Sequence, residues 1–151
     1  MKTISYTFMS GLLGLFLSAS VFADGGGNSN DDYKHLEPLP AKIERLIESE
    51  QYARAEEELK IYVKKEKKNP DAWNWLGYSQ RLNGDLDSSL KSYKKALRLD
   101  KKHLGANEYL GELYVMRGEM KKARKQLKKL AKLCGECEQY QKLSEAIAKA
   151  S

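Results

Sequence analysis

The sequence predicts an all-α protein built from antiparallel helix pairs, and three observations support this. The chain repeats with a period of about 34 residues, so that Leu76-Gly77 superposes on Leu110-Gly111. The same shift places Gly84 on Gly118. Within each unit, apolar residues recur every three or four positions, which is the spacing of one helix face. Only three prolines occur in 151 residues, so long helices are not interrupted.

Residues 1–23 differ from the rest and are predicted to be a signal peptide. Lys2 precedes an apolar run from Phe8 to Phe22, which is too short to favour a retained membrane anchor. Small residues at Val21 and Ala23 predict cleavage after Ala23, and no cysteine lies there to carry a lipid. The expected location of the mature protein is therefore the periplasm or the exterior of the cell.

The remainder divides into a lead and one helical domain. Residues 24–39 begin with Asp-Gly-Gly-Gly-Asn-Ser-Asn-Asp-Asp, which cannot bury enough apolar surface to order itself. The domain spans 40–151, with repeats at about 40–68, 70–102 and 103–135 and a capping helix at 136–150. Predicted helices within it span residues 40–49, 52–67, 70–83, 86–99, 102–117, 120–133 and 136–150.

Glycines have two roles in this pattern. Gly77 and Gly111 are predicted where two helices approach most closely, because a larger side chain would push them apart. Gly84 and Gly118 are predicted to end the first helix of a pair in the left-handed conformation. An acidic residue follows each of these last two glycines, Asp85 in the second unit and the equivalent residue in the third, and its negative charge stabilises the start of the next helix.

These positions resemble the framework of the tetratricopeptide repeat (TPR) family over residues 40–133. A helix-turn-helix unit of this period is typical of that family. The second unit matches through Trp73, Leu76, Gly77, Gly84, Ser89, Tyr93 and Ala96. The third matches through Leu110, Gly111, Tyr114, Gly118, Ala123, Leu127 and Leu130. The resemblance implies an α-solenoid whose terminal helix covers the last apolar face.

The resemblance also implies a concave groove, lined by the first helix of each pair, that binds a protein or peptide. The lysine, asparagine and arginine set with which some TPR proteins hold a C-terminal carboxylate is not present. Groove candidates are Asp71, Asn74, Tyr78, Arg81 and Leu82 in the second unit, and Gly105, Glu108, Glu112, Val115 and Met116 in the third. The partner's identity and the oligomeric state are left open by the sequence.

Two tryptophans could be core residues or contact residues. Trp73 is predicted to be core, because it lies at helical spacing beside Leu76. For Trp75 two interpretations stay open: it fills space beside the first unit, or it is a partly exposed anchor for a partner.

Basic residues suggest a second function. The chain has 27 Lys+Arg against 21 Asp+Glu, and the lysines crowd the second helix of each pair. A solvated face is the simplest interpretation. The alternative function is an envelope-surface protein that binds anionic polymer or lipid through this convex face. Nucleic acid is not expected as a partner of an exported protein.

Cys134 and Cys137 form the one chemically suggestive motif. A disulfide joining the sixth and seventh helices is the favoured interpretation. Zinc would need two further ligands, and a thiol redox protein would need a strand before the motif. The ending Cys134-Gly-Glu-Cys137-Glu-Gln-Tyr140 also resembles that of small exported bacterial TPR proteins, which implies no enzymatic activity.

No catalytic arrangement occurs in the sequence. It contains no glycine-rich phosphate loop and no Ser/His/Asp set on a plausible scaffold. The prediction is therefore a protein that is not an enzyme and that needs no cofactor or metal.

Overall fold

The computed structural model describes residues 39–150, and seven α-helices follow one another in this part of the chain. They are α1 (Leu39–Glu48), α2 (Tyr52–Lys65), α3 (Pro70–Leu82), α4 (Leu86–Leu99), α5 (Leu104–Met116), α6 (Met120–Cys134) and α7 (Glu138–Lys149). The signal peptide predicted for residues 1–23 lies outside the described residues. So does the lead predicted for 24–39, apart from its last residue, which begins α1.

Consecutive helices pack against each other along the chain. The helix pairs are α1 with α2, α3 with α4, and α5 with α6, and each pair contacts the next. The last helix, α7, packs against both α5 and α6. This arrangement confirms the predicted all-α solenoid of antiparallel pairs, with α7 covering its end.

The predicted glycine stops are confirmed. Gly84 has a φ of 87° and Gly118 a φ of 71°, both in the left-handed region. At each glycine the chain turns back, so that the backbone N–H of the next residue bonds a carbonyl in the last turn of the helix. The Asp85 N–H donates to the Gln80 carbonyl at 2.9 Å, and the equivalent bond in the next unit is 2.8 Å long.

Capping side chains fix where α3, α4 and α5 begin. The Asn69 side chain accepts from the Ala72 N–H at 3.2 Å, and Asp85 accepts from the Ser88 N–H at 3.0 Å. At α5 the cap is His103, whose Nδ1 accepts a backbone N–H at 3.1 Å. Each cap satisfies a helix donor that has no partner within the helix.

The predicted starts of two helices were wrong, each by one half-turn. The prediction began α5 at residue 102, but the Asp100 carboxylate accepts the Lys102 N–H at 2.8 Å and holds that residue in the turn. The prediction began α7 at residue 136. There Gly135, with a φ of 67°, turns the chain out of α6, and Cys137 is extended before α7 begins.

The apolar core of residues 39–150 consists of two clusters. The N-terminal cluster is formed by Ile43, Leu46, Ala55, Leu59, Val63, Ala72 and Leu76. The C-terminal cluster is formed by Tyr93, Leu110, Leu113, Tyr114, Ala123, Leu130, Leu143 and Ile147.

Two side-chain hydrogen bonds join α3, which contributes to the N-terminal cluster, to α4, which contributes to the C-terminal cluster. The Ser89 hydroxyl donates to the Gly77 carbonyl at 2.7 Å, and the Ser92 hydroxyl donates to Gln80 Oε1 at 2.7 Å. Both bonds are buried, where a satisfied hydrogen bond is needed to avoid a desolvation penalty. The α3–α4 pair is therefore held by hydrogen bonds as well as by apolar contact.

Both predicted close approaches occur, with different partners. A Cβ on Gly77 would lie 2.7 Å from the Tyr93 ring on α4. A Cβ on Gly111 would lie 2.7 Å from Leu143 Cδ1, which belongs to α7 and not to the paired helix α6. Gly111 is thus where the capping helix is seated on the stack.

Both tryptophans are partly buried and pack against the N-terminal cluster, so Trp73, which was predicted to be core, lies at the edge of the core. The Trp73 indole N–H donates to the Lys67 carbonyl at 3.0 Å, which places the ring beside the link to the first unit. Trp75 lines an apolar cleft of about 310 Å³ between α1, α2 and α3. The packing of Trp75 beside the first unit is therefore observed, and its role as an anchor for a partner stays a prediction.

Within residues 39–150, no helix combines the length and the apolar character needed to cross a bilayer.

Glu50 occupies the position equivalent to Gly84 and Gly118, with a φ of 56°. Left-handed backbone costs a residue with a Cβ about 1–2 kcal/mol, and part of that is offset by the greater chain entropy of unfolded glycine. Glu50→Gly is therefore expected to raise the free energy of unfolding by about 0.5–1 kcal/mol, measured by urea denaturation. The matched change Gly84→Ala should lower it by about 1 kcal/mol. An unchanged or lower stability of Glu50→Gly would contradict this interpretation of the first turn.

Candidate functional site

The groove face is the solvent side of α1, α3, α5 and α7, the helices that are first in their pairs together with the cap. Its centre is the Arg81 cluster, which consists of Tyr78 and Arg81 on α3 and Tyr109, Glu112 and Met116 on α5. Arg81 Nη2 lies 2.9 Å from Glu112 Oε2. The guanidinium carbon lies 5.2 Å from the Tyr78 ring centroid and 5.6 Å from that of Tyr109.

Aromatic rings connect this cluster to the core. The Tyr78 and Tyr109 centroids are 4.9 Å apart, and Tyr109 lies 6.1 Å from the fully buried Tyr93. Trp75 meets Tyr78 edge-to-face at 6.1 Å. Contacts of this geometry contribute beyond their buried area, so the groove rings have restricted positions.

Arg81 is a charged guanidinium whose charge is stabilised by its neighbours. Burial opposes the charge, but Tyr93 and Glu112 more than offset burial and raise the pKa of Arg81 above its usual value. Its Nη1 also contacts Met116 Sδ at 3.7 Å. Met116 itself is 54% exposed, so the cluster presents an apolar side chain to solvent beside a fixed cation.

Glu108 is the most perturbed carboxyl of the site. It is 3% exposed. Burial, together with the neighbouring carboxylates of Glu112 and Glu138, raises the pKa of Glu108 to about 7, although Lys142 and Arg81 act in the opposite direction. Burial also raises the pKa of Tyr109 to about 12, with Glu108 adding to the effect.

The other predicted groove residues are spread over different environments. Asp71 is exposed at the start of α3 and lies 3.1 Å from His103 Nε2. Asn74 is 6% exposed, and its Nδ2 would be 3.4 Å from a Cβ on Gly105. Val115 is half-buried and packs against the C-terminal cluster.

Leu82, at the end of α3, is half-buried. The structure therefore brings together four of the predicted residues in the Arg81 cluster: Tyr78, Arg81, Glu112 and Met116. Asp71 lies apart from them at the rim, and the side chains of Asn74 and Glu108 are buried.

Sequence reasoning missed Tyr109 and the contribution of α7. The repeat shift that carries Leu76 onto Leu110 also carries Trp75 onto Tyr109, so the repeat itself held that signal. The same shift carries Glu108 onto Lys142. Lys142 Nζ pairs with Glu138 at 2.7 Å and acts electrostatically on Glu108. Because α7 was predicted only to cover the end of the stack, its contribution to the site was not predicted.

Cys134 ends α6 and Cys137 precedes α7. Their Cα atoms are 5.6 Å apart, which is within the range that a disulfide spans, and the two Sγ atoms lie within bonding distance. The pair sits where α7 begins its approach to α5. Among residues 39–150, no group of three or more His, Cys, Asp or Glu side chains is arranged to hold a metal ion.

The fold and its repeated positions define a helical-repeat scaffold, and comparison of the sequence with family models gives the family. Two tetratricopeptide repeat models match, one over residues 41–102 and the other over residues 80–147. The chain belongs to the tetratricopeptide repeat family. No curated protein is similar to it in sequence.

Solved TPR structures share the fold at low identity. The type III secretion translocator chaperone SycD of Yersinia enterocolitica has a TM-score of 0.67 at 18% identity, over 83% of this chain and 94% of that one. A complex of SycD with a peptide of the translocator YopD gives 0.65 at 18%, over 74% and 86%. The second TPR domain of human RPAP3, with the HSP70 peptide SGPTIEEVD, gives 0.66 at 14%, over 74% and 91%.

Glu108 is expected to destabilise the fold at neutral pH. Its folded-state pKa, about 7, is above the usual 4.5, so its contribution to stability is full below about pH 4.5 and is lost as the pH rises through 7. Glu108→Gln should therefore raise the free energy of unfolding at pH 8 by about 1–3 kcal/mol. It should also flatten the dependence of stability on pH between 5 and 8.

Urea denaturation at pH 5 and pH 8 measures both effects. Glu57→Gln, on the exposed side of α2, is the matched control for loss of one carboxylate. Equal responses of the two variants at pH 8 would contradict the assignment of Glu108.

Proposed function

We propose that this protein is a non-enzymatic interaction module that binds an extended segment of a partner protein across its groove face. The observation that carries the proposal is the Arg81 cluster. A cation is held by Glu112 at 2.9 Å beneath an exposed methionine and beside a half-buried tyrosine, Tyr78. Such sites bind well because little side-chain freedom is lost on association.

The composition of the cluster fits peptide recognition. Aromatic side chains, Met and Arg are the residues enriched at protein interfaces, and here they lie on two adjacent helices of one scaffold. The solved neighbours give the proposal further support, since SycD was determined with a peptide of YopD and RPAP3 with an HSP70 peptide.

A photo-crosslinking experiment in the source cells tests the groove. A benzophenone amino acid replacing Met116 is expected to give a discrete adduct, because Met116 is 54% exposed on the groove face. The same probe at Lys94, exposed on α4, is the control. Adding Tyr78→Ala to the Met116 probe should reduce the adduct at least tenfold while circular dichroism remains unchanged.

Adducts that persist in the Tyr78→Ala background, or that form only from the Lys94 probe, would count against the groove. The second outcome would favour the alternative function, binding of an anionic polymer or lipid surface. One feature supports that alternative: α6 contains seven Lys and Arg residues and no acidic residue. The alternative function would be recognised by binding that weakens steeply as the salt concentration rises and that is unaffected by substitutions in the groove.

We also propose that Cys134 and Cys137 form a structural disulfide that fastens α7 to the end of α6. Closing so short a loop stabilises a fold by about 2 kcal/mol on the loop-entropy estimate. The double change Cys134→Ser with Cys137→Ser should therefore lower the free energy of unfolding by about 2 kcal/mol. Reductant should do the same to the unaltered protein and leave the double variant unaffected. A stability indifferent to reductant would argue against the bond.

We propose that the protein is exported, because a disulfide persists in an oxidising compartment outside the cytoplasm. The signal peptide of residues 1–23 would direct the chain there, with cleavage after Ala23. Intact-mass measurement of the protein from the periplasm or culture medium should show a chain that begins at Asp24.

A further inference from the structure

Two buried acceptors on the groove face have no donor. Asn74 is 6% exposed and Glu108 is 3% exposed. The Asn74 amide oxygen has no hydrogen-bond partner among residues 39–150. Within the same range, Glu108 makes no hydrogen bond or ion pair, and only longer-range charges act on it. The Asn74 oxygen is fully enclosed, whereas the Glu108 oxygens are not among the enclosed atoms without a partner, so the Glu108 carboxylate stays open to a donor from outside.

The two acceptors occupy the same repeat position. Asn74, Glu108 and Lys142 are equivalent residues of successive units, on α3, α5 and α7, and we call them the floor row. Lys142 is already paired with Glu138 at 2.7 Å. The carboxylate at the middle of the row is therefore the one whose charge has no direct partner.

The charges that act on Glu108 are two carboxylates, Glu112 and Glu138, and two cations, Lys142 and Arg81. Arg81 pairs with Glu112 and Lys142 pairs with Glu138, so the charge of Glu108 is the one left over. The tyrosines of the site already hold one guanidinium at cation–π distance. A site with this charge and these rings favours a cation and disfavours an anion.

We propose that the groove selects a partner segment carrying an arginine or lysine, whose cation reaches the unpaired carboxylate of Glu108. This inference rests on the proposed function, since it names the partner chemistry of the same site. Because Glu108 is 3% exposed, only the tip of a long side chain can approach it. Arginine fits best, since its planar guanidinium can donate to both oxygens of one carboxylate at the same time.

A dependence on pH follows. A bound cation favours the ionised form of Glu108, whose pKa in the free protein is about 7. Protonated Glu108 cannot form the ion pair. Affinity for a cationic segment should therefore rise about tenfold from pH 6 to pH 8. Lys142, Arg81, Glu112 and Glu138 also face this carboxyl, so the comparison needs a variant that removes Glu108 alone.

Selection from a random peptide library displayed on phage tests the inference with the purified protein. Peptides are selected at pH 8, and those that fail to bind Tyr78→Ala are kept as groove ligands. The expected result is enrichment of arginine or lysine at one position among these ligands. Synthetic copies should bind Glu108→Gln at least tenfold more weakly by calorimetry, while Glu57→Gln binds as the unaltered protein does.

Each other result overturns a stated part. Groove ligands that lack a basic residue, or basic ligands that bind Glu108→Gln equally well, would refute the cation and leave the groove function intact. Acidic ligands would refute it in the same way. A library with no ligand that depends on Tyr78 would overturn both the inference and the proposed function. Because Glu108→Gln is expected to be the more stable chain, loss of binding in it cannot be attributed to unfolding.

Discussion

The packing of the whole stack depends on two helices that carry a glycine where a side chain of a neighbouring helix lies directly against the backbone. The Tyr93 ring occupies the space beside Gly77, and Leu143 occupies the space beside Gly111. Glycine inside a helix costs about 0.5–1 kcal/mol relative to alanine, so its presence at both positions requires an offset from packing. Tyr93 and Leu143 are each fully buried, which provides that offset. Larger residues at either glycine would separate the helices and disturb every contact beyond them.

The geometry of the groove follows from these contacts. Tyr93 is fixed against α3, Tyr109 lies 6.1 Å from it, and Tyr78 lies 4.9 Å from Tyr109. Arg81 then rests over the last two rings and pairs with Glu112. A largely buried cation is thus positioned by a chain of ring contacts that begins in the core. This arrangement gives a binding face rigidity that an isolated surface ion pair, usually contributing no more than about 1 kcal/mol, could not supply.

The sequence predicted what local chemistry determines. Gly84 and Gly118 end helices because a left-handed residue is needed there, and the repeat period placed the helix pairs. The N-terminal boundary of α5 was missed because it depends on side chains, Asp100 and His103, that capture turn and helix N–H groups. The burial of Glu108 could not be read from its own helix. The charges around it include Lys142 and Glu138 of α7, which packs on α5 and is far from Glu108 in the chain.

Glu108 shows why local rules fail at such a site. A neutral side chain at this position would match Asn74 in the preceding repeat and would avoid the cost of a buried carboxylate. A perturbed carboxyl that breaks a local rule in a cleft is a candidate for a functional group. The packing of α7 brings Lys142 close enough to act electrostatically on Glu108. Lys142 nevertheless forms its ion pair with Glu138, so Glu108 has no direct partner. A partner that supplies the missing donor removes the cost on binding, and the same contact then stabilises both the complex and the fold.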